Sequence, residues 1–242
     1  MTKILVTGSS GHIGSVVYKQ LSKIEGYQVY PFDIKVSKAQ DMLNPNAVAK
    51  AVKDMDIVIH LAAIPHPHKQ FTGRDYFETN VVGTFNMIEA SIAAGVKRFI
   101  YSSSTAYYGI AKGISEVKAP IDSEETLNYV QMTTPKDHFI PCWLYYGSSK
   151  VASEALLASY GYSKQIEMAI LRFSPCPTSD SKIAGIVKNW GTYVHVLDAS
   201  NAIEKVVAYP EKLWYERFNI STIGTDTSKA RDFLGYDVIH EK

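Results

Sequence analysis

The chain reads as an α/β protein: a doubly wound parallel sheet with helices on both faces and a small C-terminal lobe on the substrate side. Three observations predict it. Apolar, β-rich runs alternate with helical stripes from the first residues onward, as they do in parallel sheets joined by crossover helices. The first run leads into a glycine-rich turn, Gly8-Ser9-Ser10-Gly11-His12-Ile13-Gly14. The second run ends on an acid, Asp33, 19 residues past Gly14.

The elements follow in order. Residues 3–7 (KILVT) form a buried-strand run. Residues 12–24 carry Ile13, Val16, Val17, Leu21 and Ile24 on one helical stripe, and Gly26 stops that helix. Residues 28–34 read as the second strand, and Pro45 opens a helix through Lys53. Residues 56–61 (DIVIHL) give a third strand, 74–94 a long helix closed by Gly95, and 97–102 a fourth strand. Residues 147–160 are a helix and 167–172 (EMAILR) a strand. Beyond Arg172 the pattern shortens to a strand at 194–197, a helix at 199–208, a strand at 217–220 and a helix at 227–234. The expectation is a single domain over 1–242, with a core at 1–172 and a reduced lobe at 173–242.

The bulk numbers restrict partners. Twenty-five basic and 24 acidic side chains give a net charge of +1, which offers no electrostatic reason to expect nucleic acid or an anionic membrane. No apolar run approaches a membrane span, and the N-terminus enters a strand pattern with no signal-peptide layout. Cys142 and Cys176 stand 34 residues apart in no metal spacing. A reduced, cytoplasmic setting is the simplest reading, with a disulfide left open.

The glycine turn carries the first chemistry. Spaced G-x-x-G-x-x-G, it permits a tight bend, lets backbone N–H groups approach a pyrophosphate, and brings the next helix close to the sheet. The helix N-terminus adds partial positive charge. Asp33 is placed to accept from both adenosine ribose hydroxyls and to repel a 2′-phosphate, so NAD is expected rather than NADP.

Further along stand Asp41-Met42, His60-Leu61-Ala62-Ala63, Asn80-Val81-Val82-Gly83-Thr84, Ser102-Ser103-Ser104, Tyr108-Gly109 and Tyr146-x-x-x-Lys150. In that order the chain resembles the extended short-chain dehydrogenase/reductases, the NAD-dependent epimerase/dehydratase family. The resemblance runs from residue 3 to about 172 and resumes weakly at 195–198, 218–220 and 227–235. It implies a Rossmann fold, a nicotinamide cofactor and sugar-like substrates. Asp41 and Met42 would flank the adenine. Leu61, Ala62 and Ala63 would line the pyrophosphate and nicotinamide ribose, and Asn80 would brace the neighbouring loop. Ser10 and Ile13 complete the cofactor loop. His12 replaces an apolar or aromatic residue of the family; it either reaches the phosphates or faces solvent in the first helical turn, and the second reading is preferred.

Three Tyr/Lys pairs share a four-residue spacing: Tyr108 with Lys112, Tyr146 with Lys150, and Tyr160 with Lys164. Tyr146 is expected to begin a helix, which puts it and Lys150 on one face, and it follows the triple serine in the family's order. The resemblance makes Tyr146 the acid/base, Lys150 the residue that lowers its pKa and holds the nicotinamide ribose, and Ser104 the hydroxyl on the substrate oxygen, with Ser103 second. The plain alternative is that these serines satisfy backbone at a strand end.

Two departures shape the substrate expectation. Only 70 residues follow Arg172, and Ser174-Pro175-Cys176-Pro177-Thr178 stands where the family has Asn-x-Tyr-Gly-Pro. The expected substrate is therefore a free sugar, sugar acid or small polyol. The tail, with its Arg172-x-x-x-Cys176 stretch, weakly resembles the uronate dehydrogenases. Lys182 is the nearest candidate to anchor a carboxylate, with Lys188 another. Ser104 and Tyr146 are 42 residues apart, which implies an apolar insertion around 127–144, either a lid or a subunit interface. His66-Pro67-His68 sits on the substrate rim; His66 is read as a substrate contact, and no metal is expected because no third ligand is indicated. Trp190 and Trp214 are read as core or rim packing. The family's helix pairing implies a homodimer. The competing functions are a nucleotide-sugar epimerase or dehydratase with internal hydride return, and a non-catalytic NAD-binding regulator.

Overall fold

The computed structural model describes residues 1–66, 68, 70–108 and 141–240, and for 141–144 the backbone path alone. The expectations placed on Pro67, Gly109, Lys112 and the 127–144 insertion therefore lie outside the described residues or, for 142–144, concern side chains outside them.

Six strands form one parallel sheet: β1 (Thr2–Thr7), β2 (Tyr27–Phe32), β3 (Ile57–His60), β4 (Arg98–Ser104), β5 (Glu167–Phe173) and β6 (Trp214–Ile220). Their spatial order is β2-β1-β3-β4-β5-β6. The order reverses between β1 and β3, where open α/β sheets place a crevice at the carboxyl ends of the strands.

Period-two alternation sends each strand's side chains to two separate cores. Ile4, Val6, Ile57, Ile59, Ile100 and Leu171 enter one. It is closed by Val17 and Leu21 of α1 (His12–Leu21), Ile203 and Val206 of α7 (Val196–Ala208), and Leu234 of α8 (Ser228–Leu234). Leu5, Val58, Phe99, Tyr101, Met168 and Ile170 enter the other. Its cover is Val48 and Val52 of α2 (Pro45–Val52), Met87 and Ile88 of α4 (Gly83–Ala93), and Leu157 of α5 (Pro141–Tyr162). Asn44 caps α2 by accepting from the N–H groups of Asn46 and Ala47, with Pro45 in the first turn.

Four sequence expectations need correction. The helix read as 74–94 is three pieces: α3 (Gly73–Tyr76), a π-helical stretch (Phe77–Val82) and α4. The Gly83 N–H reaches back to the Glu78 carbonyl, while the Asn80 carbonyl is taken by the hydroxyls of Thr84 and Ser153 at 2.6 and 2.9 Å. Side-chain donors thus replace the helical partner, a local widening typical of π segments. The strand read at 194–197 is absent: His195 Nδ1 accepts from the Leu197 N–H and starts α7 there, and Tyr193 makes just an isolated bridge to Ile223. The helix carrying Tyr146 begins at Pro141, so Tyr146 lies inside it. Finally, α6 (Ile183–Trp190) occupies a stretch for which the sequence reading assigned nothing.

Candidate active site

The site is a cavity of about 990 Å³ at the carboxyl edge of the sheet, within the upper range for small-molecule and cofactor pockets. Its floor is the glycine turn. A Cβ on Gly14 would stand 2.1 Å from the Gly8 carbonyl oxygen, and one on Gly8 would press into the Ala62 backbone at 2.8 Å. Gly8 also has φ +67°, which glycine adopts without strain. These contacts make a backbone cradle that no larger residue could form. Asp33, at the end of β2, binds the cradle to that strand: one carboxylate oxygen accepts from the Ser10 N–H at 2.9 Å, the other from the Lys35 N–H at 2.8 Å. Gly8, Gly11, His12, Ile13, Gly14 and Asp33 line the cavity, as do Asp41 and Met42 beside them. Ser10 acts from behind the wall, through its N–H.

The loop after β3 is fixed by a histidine to which the sequence reading gave no role. Thr84 Oγ1 donates to the Asn80 carbonyl, so it accepts from His60 Nε2 at 3.0 Å. That leaves Nδ1 bare to accept from Thr7 Oγ1 at 2.8 Å. Thr7 Oγ1 in turn accepts from the N–H groups of Leu61 and Ala62, both at 3.1 Å. Burial, then the charge of Lys150, pushes the His60 pKa down to about 3, so the ring is a neutral spacer. Leu61, Ala62 and Ala63 line the cavity above it. Asn80 does not: its side chain is buried, accepting from the Ile64 N–H at 2.8 Å and donating to Ser149 Oγ at 2.9 Å. It holds the loop against α5 and touches no cavity wall.

Opposite the cradle, Tyr146, Lys150 and Ser104 converge. The Ser104 side chain lies beside the Tyr146 phenol and favours its charged form, and Ser104 Oγ accepts from the Ala106 N–H at 3.1 Å. Lys150 Nζ donates to the Ser102 carbonyl at 2.8 Å and lies 6.0 Å from the Tyr146 ring centre. The sequence reading expected Lys150 to lower the Tyr146 pKa. In the structure burial dominates: Tyr146 is pushed up to about 12, the neighbouring Ser104 side chain working against that shift. Burial likewise lowers Lys150 to about 8, against the nearby carboxylate of Glu154. A phenol and an ammonium thus share a dry wall that disfavours both charged forms.

Tyr160 and Tyr108 are committed to other partners. Tyr160 gives its hydroxyl to Glu89 Oε1, and Lys164 stands past the end of α5 with φ +55°. Tyr108 accepts from Arg172 and donates to Asn219 Oδ1 at 2.9 Å.

Ser103 lines the cavity, but its hydroxyl is committed at 2.5 Å to Glu154 Oε1. Glu154 also receives Arg172, with Nη2 2.7 Å from Oε2 and both side chains almost wholly buried. This pair escaped the sequence reading, although a glutamate four residues past Lys150 was the available signal. His66 lies on the rim and lines the cavity. Lys182 does not; it is exposed, and its Nζ donates to Thr178 Oγ1 at 2.7 Å. His12, read as facing solvent, is exposed but tethered: its Nε2 meets the Pro177 carbonyl at 2.9 Å, joining the glycine turn to the loop after β5. Cys176 is a free thiol on the cavity wall, pushed up to about 12 by burial and then by the charge of Asp198, so it is no nucleophile at neutral pH. Asp180, His195 and His240 bring potential ligand atoms within 4.8 Å. Because His195 Nδ1 accepts from Leu197, its Nε2 carries the proton and points at Asp180, 3.5 Å away.

The residues fit a dinucleotide. The cradle leaves backbone where a Cβ would intrude, and Asp33 supplies the acceptor at the end of β2.

The chain is 29% identical over 188 residues to an L-arabinose 1-dehydrogenase (NAD(P)(+)) of Haloferax volcanii, a match covering 74% of this chain and 69% of the relative. It spans about half the length of the curated UDP-glucose 4-epimerases it also matches. Among solved structures, a short-chain dehydrogenase/reductase superfamily protein from Agrobacterium tumefaciens with bound NAD superposes at TM-score 0.76 and 20% identity, over 99% of this chain and 93% of that one. A mutated uronate dehydrogenase superposes at TM-score 0.63 and 22% identity, over 97% and 80%. At such identities the structures establish a shared fold. The model of the NAD dependent epimerase/dehydratase family matches residues 4–176, most of the chain, and the chain therefore belongs to that family, whose cofactor is NAD.

Proposed function

We propose that this chain is an oxidoreductase that transfers hydride between NAD and a hydroxyl-bearing carbon of a small sugar, sugar acid or polyol. One observation carries the reading: Ser104, Tyr146 and Lys150, with Lys150 Nζ 6.0 Å from the Tyr146 ring centre, line the same cavity as the glycine cradle. Bound NAD would supply the hydride acceptor and a cationic ring.

The chain's own residues do the rest. Ser104 donates to the substrate oxygen and orients the alcohol. Tyr146 Oη, as phenolate, takes the alcohol proton while the carbon loses hydride, so the products are a carbonyl compound, NADH and one proton held on the tyrosine. At a pKa of about 12 the phenol is a poor base, so it needs added positive charge beside it. The ammonium of Lys150 contributes that, and so does the cofactor ring. Gly8, Gly11, Ile13 and Gly14 present backbone to the pyrophosphate, and Asp33 to the ribose, favouring NAD over NADP. The Haloferax relative, named for oxidation of a free sugar, supports the substrate class. Half-exposed Phe77, Val82 and Phe85 along the π stretch and α4 support a homodimer through that face, and the free Cys176 thiol supports a cytoplasmic setting.

The test is NADH formation from NAD over a panel of free aldoses, hexuronates and small polyols. Turnover on a member of the panel is expected, with kcat/KM lowered about 10²–10⁴-fold in Tyr146→Phe. No turnover on the whole panel, or a fully active Tyr146→Phe, would overturn the reading.

A further inference from the structure

Helix α6 has an apolar stripe with little core to enter. Ile183, Ile186, Val187 and Trp190 recur at helical spacing and are half-buried; the other four residues of the helix are exposed, and none of the eight is fully buried. Two members of the stripe, Ile186 and Trp190, line the active-site cavity. The stripe thus furnishes part of the wall of the cavity that Ser104 and Tyr146 also line.

The chain just after Trp190 is anchored. Gly191 closes α6 in the left-handed conformation, φ +69°, with its N–H on the Val187 carbonyl at 2.8 Å. Thr192 then enters a buried cluster of hydroxyls. Its Oγ1 lies 2.8 Å from Ser174 Oγ, 3.0 Å from Ser221 Oγ and 2.8 Å from Thr225 Oγ1, and donates to the Ile223 carbonyl at 2.8 Å. The Oγ1 hydrogen goes to that carbonyl, so Oγ1 is left to accept from Ser174 and Thr225, while Ser221 Oγ gives its own hydrogen to the carbonyls of Tyr193 and Ile223. The cluster ties the end of β5, the segment after β6 and the end of α6 into one unit two residues from the indole.

The charges along this side point the same way. Of the charged residues that line the cavity, Lys35 belongs with Asp33 at the end of β2, the ribose end. On the substrate side, among the described residues, they are Lys150 and Asp75. Lys150 is buried beside Tyr146 with Nζ on the Ser102 carbonyl. Asp75 is a carboxylate held below its usual range by hydrogen bonds from Thr72. Among the described residues no arginine lines that side to fork a substrate carboxylate, and Asp75 adds a like charge.

We propose that the substrate is an uncharged monosaccharide and that Trp190 is its specificity-determining contact. The inference rests on the oxidoreductase reading above. A sugar ring has one face of C–H bonds and an edge of hydroxyls. The C–H face suits the electron-rich face of an indole, and the hydroxyl edge suits the polar wall opposite. A fixed aromatic plate costs little conformational entropy on binding, which a mobile side chain would not spare. The substrate is thus held against Trp190 and Ile186 with a hydroxyl presented to Ser104 and Tyr146. Hexuronates and sugar nucleotides are disfavoured by their charge.

Matched neutral aldoses and hexuronates would be compared as substrates at saturating NAD, in the wild type, Trp190→Ala and Trp190→Phe. NADH binding would serve as the check that each variant is folded. The neutral sugar is expected to have a kcat/KM at least about tenfold above its uronate. Trp190→Ala should raise the sugar KM about tenfold or more with kcat within about threefold, and Trp190→Phe should recover most of the loss. Sugar should also quench indole emission in the wild type and not in Trp190→Phe. A uronate preferred over its neutral partner, or an unchanged KM in Trp190→Ala, would overturn the proposal. If nothing is turned over, the oxidoreductase reading fails, and the emission titration with neutral sugar against uronate still decides the ligand class.

Discussion

Strand β5 holds one member of an arginine–glutamate pair at each end, and the two pairs are built differently. At the amino end, Arg98 faces Glu167 in register and donates to its Oε2 at 3.0 and 2.7 Å. Its remaining N–H groups go to the carbonyls of Val206, Tyr209 and Glu211, each at 2.8 Å. All five guanidinium donors are used, and the acceptors besides Glu167 are backbone. This pair staples the end of α7 to the sheet. At the carboxyl end, Arg172 meets Glu154 from α5, stacks 3.8 Å from the centre of the Tyr107 ring, and donates to the Tyr108 hydroxyl at 2.7 Å. Here the surrounding partners are side chains, and one of them, Ser103, stands on the cavity wall beside Ser104. Both pairs are anchored on β5, through Glu167 and Arg172, so position decides their roles. The pair at the closed edge fixes the fold, while the pair at the open edge sets the shape of the wall that holds Tyr146 and Ser104.

Removing one partner at each end tests that division. Glu154→Ala leaves a guanidinium buried without its counter-charge, and a loss of about 3–5 kcal/mol in unfolding free energy is expected, with a fall in kcat. Arg98→Met strips three carbonyls of their donors but leaves Glu167 partly solvated, so about 1–3 kcal/mol is expected, with kcat/KM unchanged in the folded protein. Urea unfolding and turnover on the same preparations read both. Equal losses of activity at the two ends would break the comparison.

The open edge should also carry a pH signature. Lys150 sits at about 8 in the folded protein against an ordinary 10.5, because it is buried. Between those values the unfolded chain holds more protons, so stability rises with pH there; the gain is complete above the unfolded value and is lost as pH falls through about 8. Lys150→Met removes the group from both states. Between about pH 7.5 and 9.5 the wild type should therefore gain about 2 kcal/mol relative to that variant. Parallel denaturation curves at the two pH values make the measurement. A constant gap would mean that Lys150 is solvated and not set in the dry wall beside Tyr146.

What the sequence revealed follows from how local each feature is. Gly8, Gly11 and Gly14 lie on one turn, Asp33 closes the next strand, and Tyr146 with Lys150 spans one helical turn. All of these can be read from spacing. The Glu154–Arg172–Ser103 cluster could not be, because it depends on the register of β4 against β5 and on which face of α5 meets them. His60 shows the same limit, since its role comes from Thr7 and Thr84, 53 and 24 residues away in sequence. α6 is a different case. Ile183, Ile186, Val187 and Trp190 have helical spacing in plain view, but the run is short and holds Gly185. The strand expected at 194–197 failed because β-branched and apolar residues outweighed the capping signal of His195 and Asp198.

The smallest effect concerns the two neighbouring serines, which the family order alone ranks without separating. Ser103 donates to Glu154, whose charge is already matched by Arg172. Ser103→Ala removes one buried hydrogen bond and leaves the carboxylate its other donors. A loss of about 1 kcal/mol is expected, with kcat within about threefold of wild type. Ser104 stands beside the Tyr146 phenol on the cavity wall, so Ser104→Ala should leave stability nearly unchanged and lower kcat/KM about 10²-fold. Comparing each variant's unfolding midpoint with its turnover separates them. If Ser103→Ala instead costs activity and not stability, the Glu154 cluster reaches into the chemistry, and the boundary between supporting wall and reacting surface lies one residue earlier on β4.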